Sequence, residues 1–342
     1  MAELTSYFVF FIFSIGVSFY LNKVVFKMFY QSKMLDPINK RSSHKAKATR
    51  SGGLALLLSV FLCYALAGSA GLVMAPYGPI AISVVFMALL GFVDDLISVQ
   101  YRIKFFLQLF AGLVVVQSGW SIDSFFGVFG VFEIPSWAGS LISLFVFVVV
   151  VNSLNLIDGL DGLASLVSLK FFLIVGGIIL VSNKDMFIFF PIIIGALIGF
   201  LTHNFSASKK VFLGDSGSLF LGSLVAVFII FVLDSDNSII TDAYISRPLL
   251  MVLSVFYPLV DTLRAVVLRS YKGLSPFVAD RIHLHHRLID KGYEHWTASV
   301  LILCLSVLLI IINFFVFQII GLLLCVIMTM ILCLIFYRFL FK

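Results

Sequence analysis

Charge is what this chain has least of. Asp, Glu, Lys and Arg make up 12% of its 342 residues, against 61% hydrophobic residues. Soluble domains are about one-quarter charged, so a single large soluble core does not fit. Apolar stretches near 20 residues recur along the whole length, which implies a polytopic helical membrane protein. Cysteine is also scarce. The four residues Cys63, Cys304, Cys325 and Cys333 lie inside apolar runs with no CxxC pair or metal spacing. This excludes a disulfide framework and a thiolate zinc site, and leaves them as packing residues. The opening MAELTSY has no basic segment, and the first apolar run has no small-residue cleavage site, so it reads as a retained helix. The spacing of short or broken runs shows no inverted repeat of the kind many secondary transporters carry.

The expected fold is all-α and polytopic, one integral-membrane domain over residues 1–342 with about eleven transmembrane helices. The expected spans are about 5–26, 52–69, 78–97, 104–119, 137–154, 163–181, 187–203, 217–233, 247–268, 297–315 and 318–337, with ends uncertain by roughly 2–4 residues. The net charge of +6 matters through where it lies. Lys27, Lys33, Lys40, Arg41, Lys45, Lys47 and Arg50 follow the first span, and Arg102 and Lys104 follow the third. Lys209 and Lys210 follow the seventh, and Arg269, Lys272, Arg281, Arg287 and Lys291 follow the ninth. The opposite loops hold only Lys184 and Arg247. The positive-inside rule then puts the N-terminus outside and the C-terminus in the cytoplasm. Such charges mark topology and anionic lipid, with no nucleic-acid partner implied. On the outer side, residues 119–136 suggest a short hairpin on the membrane. Asp234, Asp236 and Asp242 read as a solvated loop.

Polar residues with unusual placement all fall on the inner side. In NSLNLIDGLDGLA, two amides and two carboxylates recur at every third position: Asn152, Asn155, Asp158 and Asp161. The helical step puts Asn152 and Asn155 on one face. Gly159 and Gly162 disfavour a regular helix, so the carboxylates are expected on a turn between two helices. Asp94 and Asp95 close the third span; they read either as a water-facing end cap or as a general base or metal ligand beside Arg102 and Lys104. Asp215, in FLGDSG, suits Mg2+, which takes one or two carboxylates plus water and phosphate oxygens. A helix N-cap at Asp215 or Ser216 is the competing reading. Asn204 and Phe212 could hydrogen-bond and stack on a base. Arg281, His283, His285 and His286 suit a diphosphate, with a zinc site or an exposed loop as alternatives. Asp261, with Arg264 at i+3, is an intramembrane pair that is either functional or structural.

In this order, DPINKRSSH, RSGG, GFVDDL, NSLNLIDGLDGLA, VFLGDSGSL, YPLVDTLRAVVLR and SPFVADRIHLHHRLI resemble the polyprenyl-phosphate N-acetylhexosamine-1-phosphate transferase family, over residues 36 to about 290. The last motif and the eleven spans resemble the branch that uses UDP-GlcNAc. The phospho-MurNAc-pentapeptide translocase branch usually shows an unbroken triple histidine, which Leu284 interrupts here. Ala48 and Thr49 stand where the family often has a proline before Arg-x-Gly-Gly.

The resemblance implies a bacterial inner-membrane enzyme. It would transfer a sugar-1-phosphate from a UDP-N-acetylhexosamine to undecaprenyl phosphate and release UMP, with Mg2+ or Mn2+ as cofactor and a homodimer as its assembly. Carried over by position, Asp215, with Asp161, holds the metal. Asp94 and Asp95 assist the metal or deprotonate the lipid phosphate, and Asp158 and Asp161 serve the reaction centre with His285. Asn152, Asn155, Asn204, Phe212, Arg281, His283, His285 and His286 bind the nucleotide sugar. Arg102, Lys104 and Asp261 meet the acceptor phosphate. A proton-coupled transporter built on Asp261, Asp94 and the histidines predicts polar groups near mid-membrane, whereas here they gather on one side.

Overall fold

The computed structural model describes residues 2–34, 48–72, 78–128, 130–182, 184–206, 209–235, 245–273 and 283–341. The elements in order are α1 (Ala2–Gln31), α2 (Gly52–Ser69), α3 (Gly78–Ile97), α4 (Tyr101–Gln117), β1 (Ser124–Val128), β2 (Val131–Glu133), α5 (Ser136–Ile157), α6 (Leu163–Ser182), α7 (Lys184–Phe187), α8 (Phe189–Asn204), α9 (Gly214–Leu233), α10 (Arg247–Ser254), α11 (Phe256–Tyr271), α12 (Leu284–Asp290) and α13 (His295–Phe341). In hydrocarbon the backbone must satisfy its own polar groups, so apolar runs become helices. Among the described residues, seven helices are long and apolar enough to cross a membrane, or eight if the bent pair α10–α11 is one span. Each of the eleven expected runs lies largely on helix, but α4 and α8, at 17 and 16 residues, are short. The expected hairpin is present as the antiparallel pair β1–β2.

α9 is the axis of the bundle. It is apolar on every face, the mark of a helix enclosed by others, and every residue from Ser216 to Leu233 is buried. α2, α3 and α5 pack directly on it. A methyl added to Gly91 of α3 would lie 2.2 Å from the Asp215 carbonyl oxygen, and one on Gly53 of α2 would lie 2.0 Å from the Gly217 nitrogen. These approaches are too close for any side chain, so backbones meet as small residues allow in membrane helices. A short backbone pairing joins the starts of α2 and α9: Phe212 N–H donates to Thr49 O at 2.8 Å, and Gly53 N–H to Leu213 O at 2.9 Å.

Two helices are broken for identifiable reasons. α10 and α11 meet at 72° around Val255. Pro258 cannot donate to the Ser254 carbonyl, and its ring would crowd that oxygen in a continuous helix. α13 breaks at Gly321, whose φ of 71° and ψ of 178° suit glycine. Asn313 and Thr329, eight residues either side, exchange hydrogen bonds of 2.9 and 3.0 Å. On a straight helix they would stand about 24 Å apart, so the two arms fold back on each other as the separate runs 297–315 and 318–337 imply.

Gly91→Ala should therefore cost roughly 1–3 kcal/mol of stability, while Gly177→Ala, at a position open to its surroundings, should cost nothing. Thermal unfolding of the two variants in detergent checks this; equal midpoints would contradict the close α3–α9 contact.

Candidate active site

The turn between α5 and α6 carries Asp158 and Asp161, as the two glycines suggested, and Gly162 takes φ of 72° there. α5 carries Asn152 and Asn155 one turn below. Asn155 donates from Nδ2 to Asp215 Oδ1 at 2.6 Å and to Ser218 Oγ at 2.8 Å. Asn152 is one step further from the metal-type carboxylates: it exchanges amide hydrogen bonds with Gln108 of α4 at 2.6 and 3.3 Å. The two amides share a face but have different partners.

The end of α3 meets the start of α9. Asp94 Oδ1 accepts from Val99 N–H at 2.6 Å, and Oδ2 accepts from the Lys104 ammonium. Lys104 also stands 3.9 Å from Asp215 Oδ2, so it lies between two carboxylates. Asp95 is turned inward, with its side chain 4% exposed and Arg50 at 3.6 Å. Asp215 is more open, at 31%. The Asp158 carboxyl is pushed well above the usual carboxylate range, chiefly by burial, then by Asp215, Asp95 and Asp161, with Arg50 offsetting. Four carboxyl groups, Asp94, Asp95, Asp158 and Asp215, thus share two nearby cations, Lys104 and Arg50.

A divalent cation fits that excess. Among the described residues, no three His, Cys, Asp or Glu side chains form a closed metal cage. Mg2+ does not need one, because it binds through one or two carboxylates and completes its shell with water and substrate phosphate. Asp215 has the exposure for this. Asp161 is differently occupied: its Oδ2 accepts from Lys210 Nζ at 2.5 Å, with His295 Nδ1 at 3.6 Å, and its backbone carbonyl accepts from Ser299 of α13 at 2.8 Å.

Lys210 also sits 5.8 Å from the centre of the Phe212 ring, which brings a cation and an aromatic face together beside Asp161. Asn204 is almost fully buried, and its Nδ2 donates to the Val211 carbonyl at 2.8 Å. It therefore shapes the loop that carries Phe212. Arg102 is exposed and packs on its neighbour Tyr101, Nε to Oη 3.1 Å, while Lys104 turns into the carboxylates.

The histidines divide unexpectedly. His283 precedes α12, and its Nδ1 stands 2.9 Å from Asp261 Oδ2; Leu284 N–H donates to Asp261 Oδ1 at 2.8 Å. Asp261 is fully buried. Its carboxylate is committed to anchoring the α12 segment on α11, so it does not meet an acceptor phosphate in this arrangement as expected from position. His285 is also fully buried, near Tyr257 Oη at 3.4 Å. Burial pushes its imidazole down to about 3, against the pull of Asp261, so it is neutral. Its Nε2 faces Gly159: an added methyl there would lie 2.9 Å away. His286 is half-buried at 4.3 Å, ring centre to ring centre, from His285. Arg281 lies outside the described residues.

Gln108 was expected with Arg102 and Lys104 at a phosphate-handling corner, whereas Arg50, Lys210, His295 and Ser218 were not singled out as site residues from the sequence. Arg50 belongs to the RSGG motif and was legible there; the others needed the fold.

The model of glycosyl transferase family 4 matches residues 78–233. The chain is 39% identical over 112 residues to a decaprenyl-phosphate N-acetylglucosaminephosphotransferase of Mycobacterium tuberculosis, over 30% of this chain and only 27% of that protein's length. It is 28% identical over 278 residues to a probable undecaprenyl-phosphate N-acetylglucosaminyl 1-phosphate transferase of Bacillus subtilis, covering 79% of this chain and 74% of the relative. An undecaprenyl-phosphate alpha-N-acetylglucosaminyl 1-phosphate transferase of Pasteurella multocida is 30% identical over 276 residues, covering 79% and 75%. The family model spans the carboxylate-bearing ends of α3, α5 and α9, and the chain belongs to the polyprenyl-phosphate N-acetylhexosamine-1-phosphate transferases of glycosyl transferase family 4.

Proposed function

We propose that this protein transfers N-acetylglucosamine-1-phosphate from UDP-N-acetylglucosamine to undecaprenyl phosphate and releases UMP. The reaction would be the first membrane step of envelope polysaccharide synthesis in a bacterial inner membrane, with the site facing the cytoplasm. The observation that carries this reading is the gathering of Asp94, Asp95, Asp158 and Asp215 with Lys104 and Arg50 at one end of α3, α5 and α9. The Lys- and Arg-rich loops mark that end as the inner one. There a lipid phosphate in the bilayer and a soluble nucleotide sugar can meet.

Both substrates are anionic, and their reacting phosphates repel each other. Mg2+, or Mn2+ in its place, supplies neutralisation of the donor diphosphate when held at Asp215. Asn155 fixes that carboxylate from one side. Lys104 lies between Asp94 and Asp215, which supports a role in receiving the acceptor phosphate. Phe212 and Lys210 offer a face and a charge to the nucleotide, and His286 with Arg281 the flank of the diphosphate. An acceptor phosphate oxygen attacks the sugar-linked phosphorus in line. A phosphorus–oxygen bond forms, the anhydride bond to UMP breaks, and UMP leaves with its electrons. Catalysis is then mainly positioning and electrostatic stabilisation.

The test is UMP release by purified protein given undecaprenyl phosphate, Mg2+ and either UDP-GlcNAc or UDP-MurNAc-pentapeptide. Lipid-dependent UMP from UDP-GlcNAc alone is expected. UMP from the pentapeptide donor would overturn the donor assignment, and none from any UDP-N-acetylhexosamine in folded protein would overturn the reaction. Asp215→Asn should lower turnover by at least about 100-fold without loss of folded protein by size-exclusion chromatography. Undiminished turnover would remove Asp215 from the metal.

A further inference from the structure

α9 begins without a cap of its own. Leu213, at its N-cap, has no side-chain acceptor, yet the first N–H groups of a helix need partners. Asp95 supplies them from another helix. Its Oδ1 accepts from Asp215 N–H at 3.1 Å and its Oδ2 from Ser216 N–H at 3.0 Å. Gly214, at φ of 71°, lets the chain turn beneath this carboxylate; a methyl added there would lie 2.7 Å from Asp95 Oδ2. One turn back on α3, Gly91 lets the two backbones touch.

Resting on the transfer reaction above, we propose that Asp95 is a positioning residue. Its carboxylate caps α9 from α3 and thereby sets where Asp215 points, and it neither binds the metal nor moves a proton. The adjacent acidic pair therefore splits its work. Both side chains are buried, but Asp94 binds Lys104 and the Val99 N–H, whereas Asp95 has both oxygens taken by the backbone of α9. A second consequence concerns the glycine-rich loop FLGDSG. Helix starts attract phosphate through free N–H groups and the helix dipole. Here Asp95 occupies both, so the loop places a carboxylate and does not cradle a phosphate.

The role predicts a graded series. Asn keeps one of the two acceptor oxygens and so part of the cap, whereas Ala keeps neither. A metal ligand or base would lose its function in either substitution. Asp95→Asn and Asp95→Ala would be compared with the unmodified protein in detergent by Mn2+ affinity without substrate, by thermal midpoint and by UMP release. Asp95→Asn is expected to keep Mn2+ affinity within about threefold and turnover within about tenfold, with Asp95→Ala at least about fivefold worse on each and less heat-stable. Equal losses in the two variants, in metal binding, turnover or folding, would overturn the proposal. Absence of UMP release by the unmodified protein would instead count against the transfer reaction, and the Mn2+ and thermal series would still judge Asp95.

Discussion

The site depends on helices whose backbones touch. Gly91 and Gly53 bring α3 and α2 against the first turn of α9, closer than any side chain would permit. Packing and hydrogen bonding drive such contacts in lipid, where apolar burial between helices contributes little. Because α9 is enclosed along its length, its start cannot shift without moving its neighbours. Asp215 is thereby placed by the bundle and not by a loop, the rigidity that its proposed role requires.

On this frame the site is an electrostatic problem left partly unsolved. Four carboxyl groups meet beside Lys104 and Arg50, and the Asp158 carboxyl is pushed up chiefly by burial and then by its acidic neighbours. Several carboxylates here have a specific partner: Asp94 has Lys104, Asp161 has Lys210, and Asp261 has His283. The carboxyl cluster coincides with the proposed site for a metal-bound diphosphate. Charges near a bilayer centre cost roughly 2.5–3.5 kcal/mol each, which favours such groups at the ends of spanning helices, where these lie.

Much of this was legible in the residues. The apolar runs gave the helices, the NxxNxxDGxDG spacing gave an amide face followed by a carboxylate turn, and the short gap near Gly321 gave the final hairpin. What escaped has physical causes. Asp94 and Asp95 are adjacent and chemically alike, and only the position of the α9 backbone tells them apart. Lys210 read as a topology charge because its partner Asp161 is 49 residues away. The histidines read as cations, but burial keeps His285 neutral despite Asp261, and the bond to Asp261 turns His283 into an anchor. The break at Val255 was readable from Pro258, although its angle was not.

The central claim is that the carboxylate cluster around Asp215 is where metal and donor diphosphate meet. Electron–nuclear double resonance on Mn2+-loaded protein with UDP-GlcNAc tests it most directly. The account predicts phosphorus hyperfine coupling from the donor's phosphates to a protein-held Mn2+, lost in Asp215→Asn. Mn2+ bound to the protein without phosphorus coupling, or coupling that survives that substitution, would contradict it.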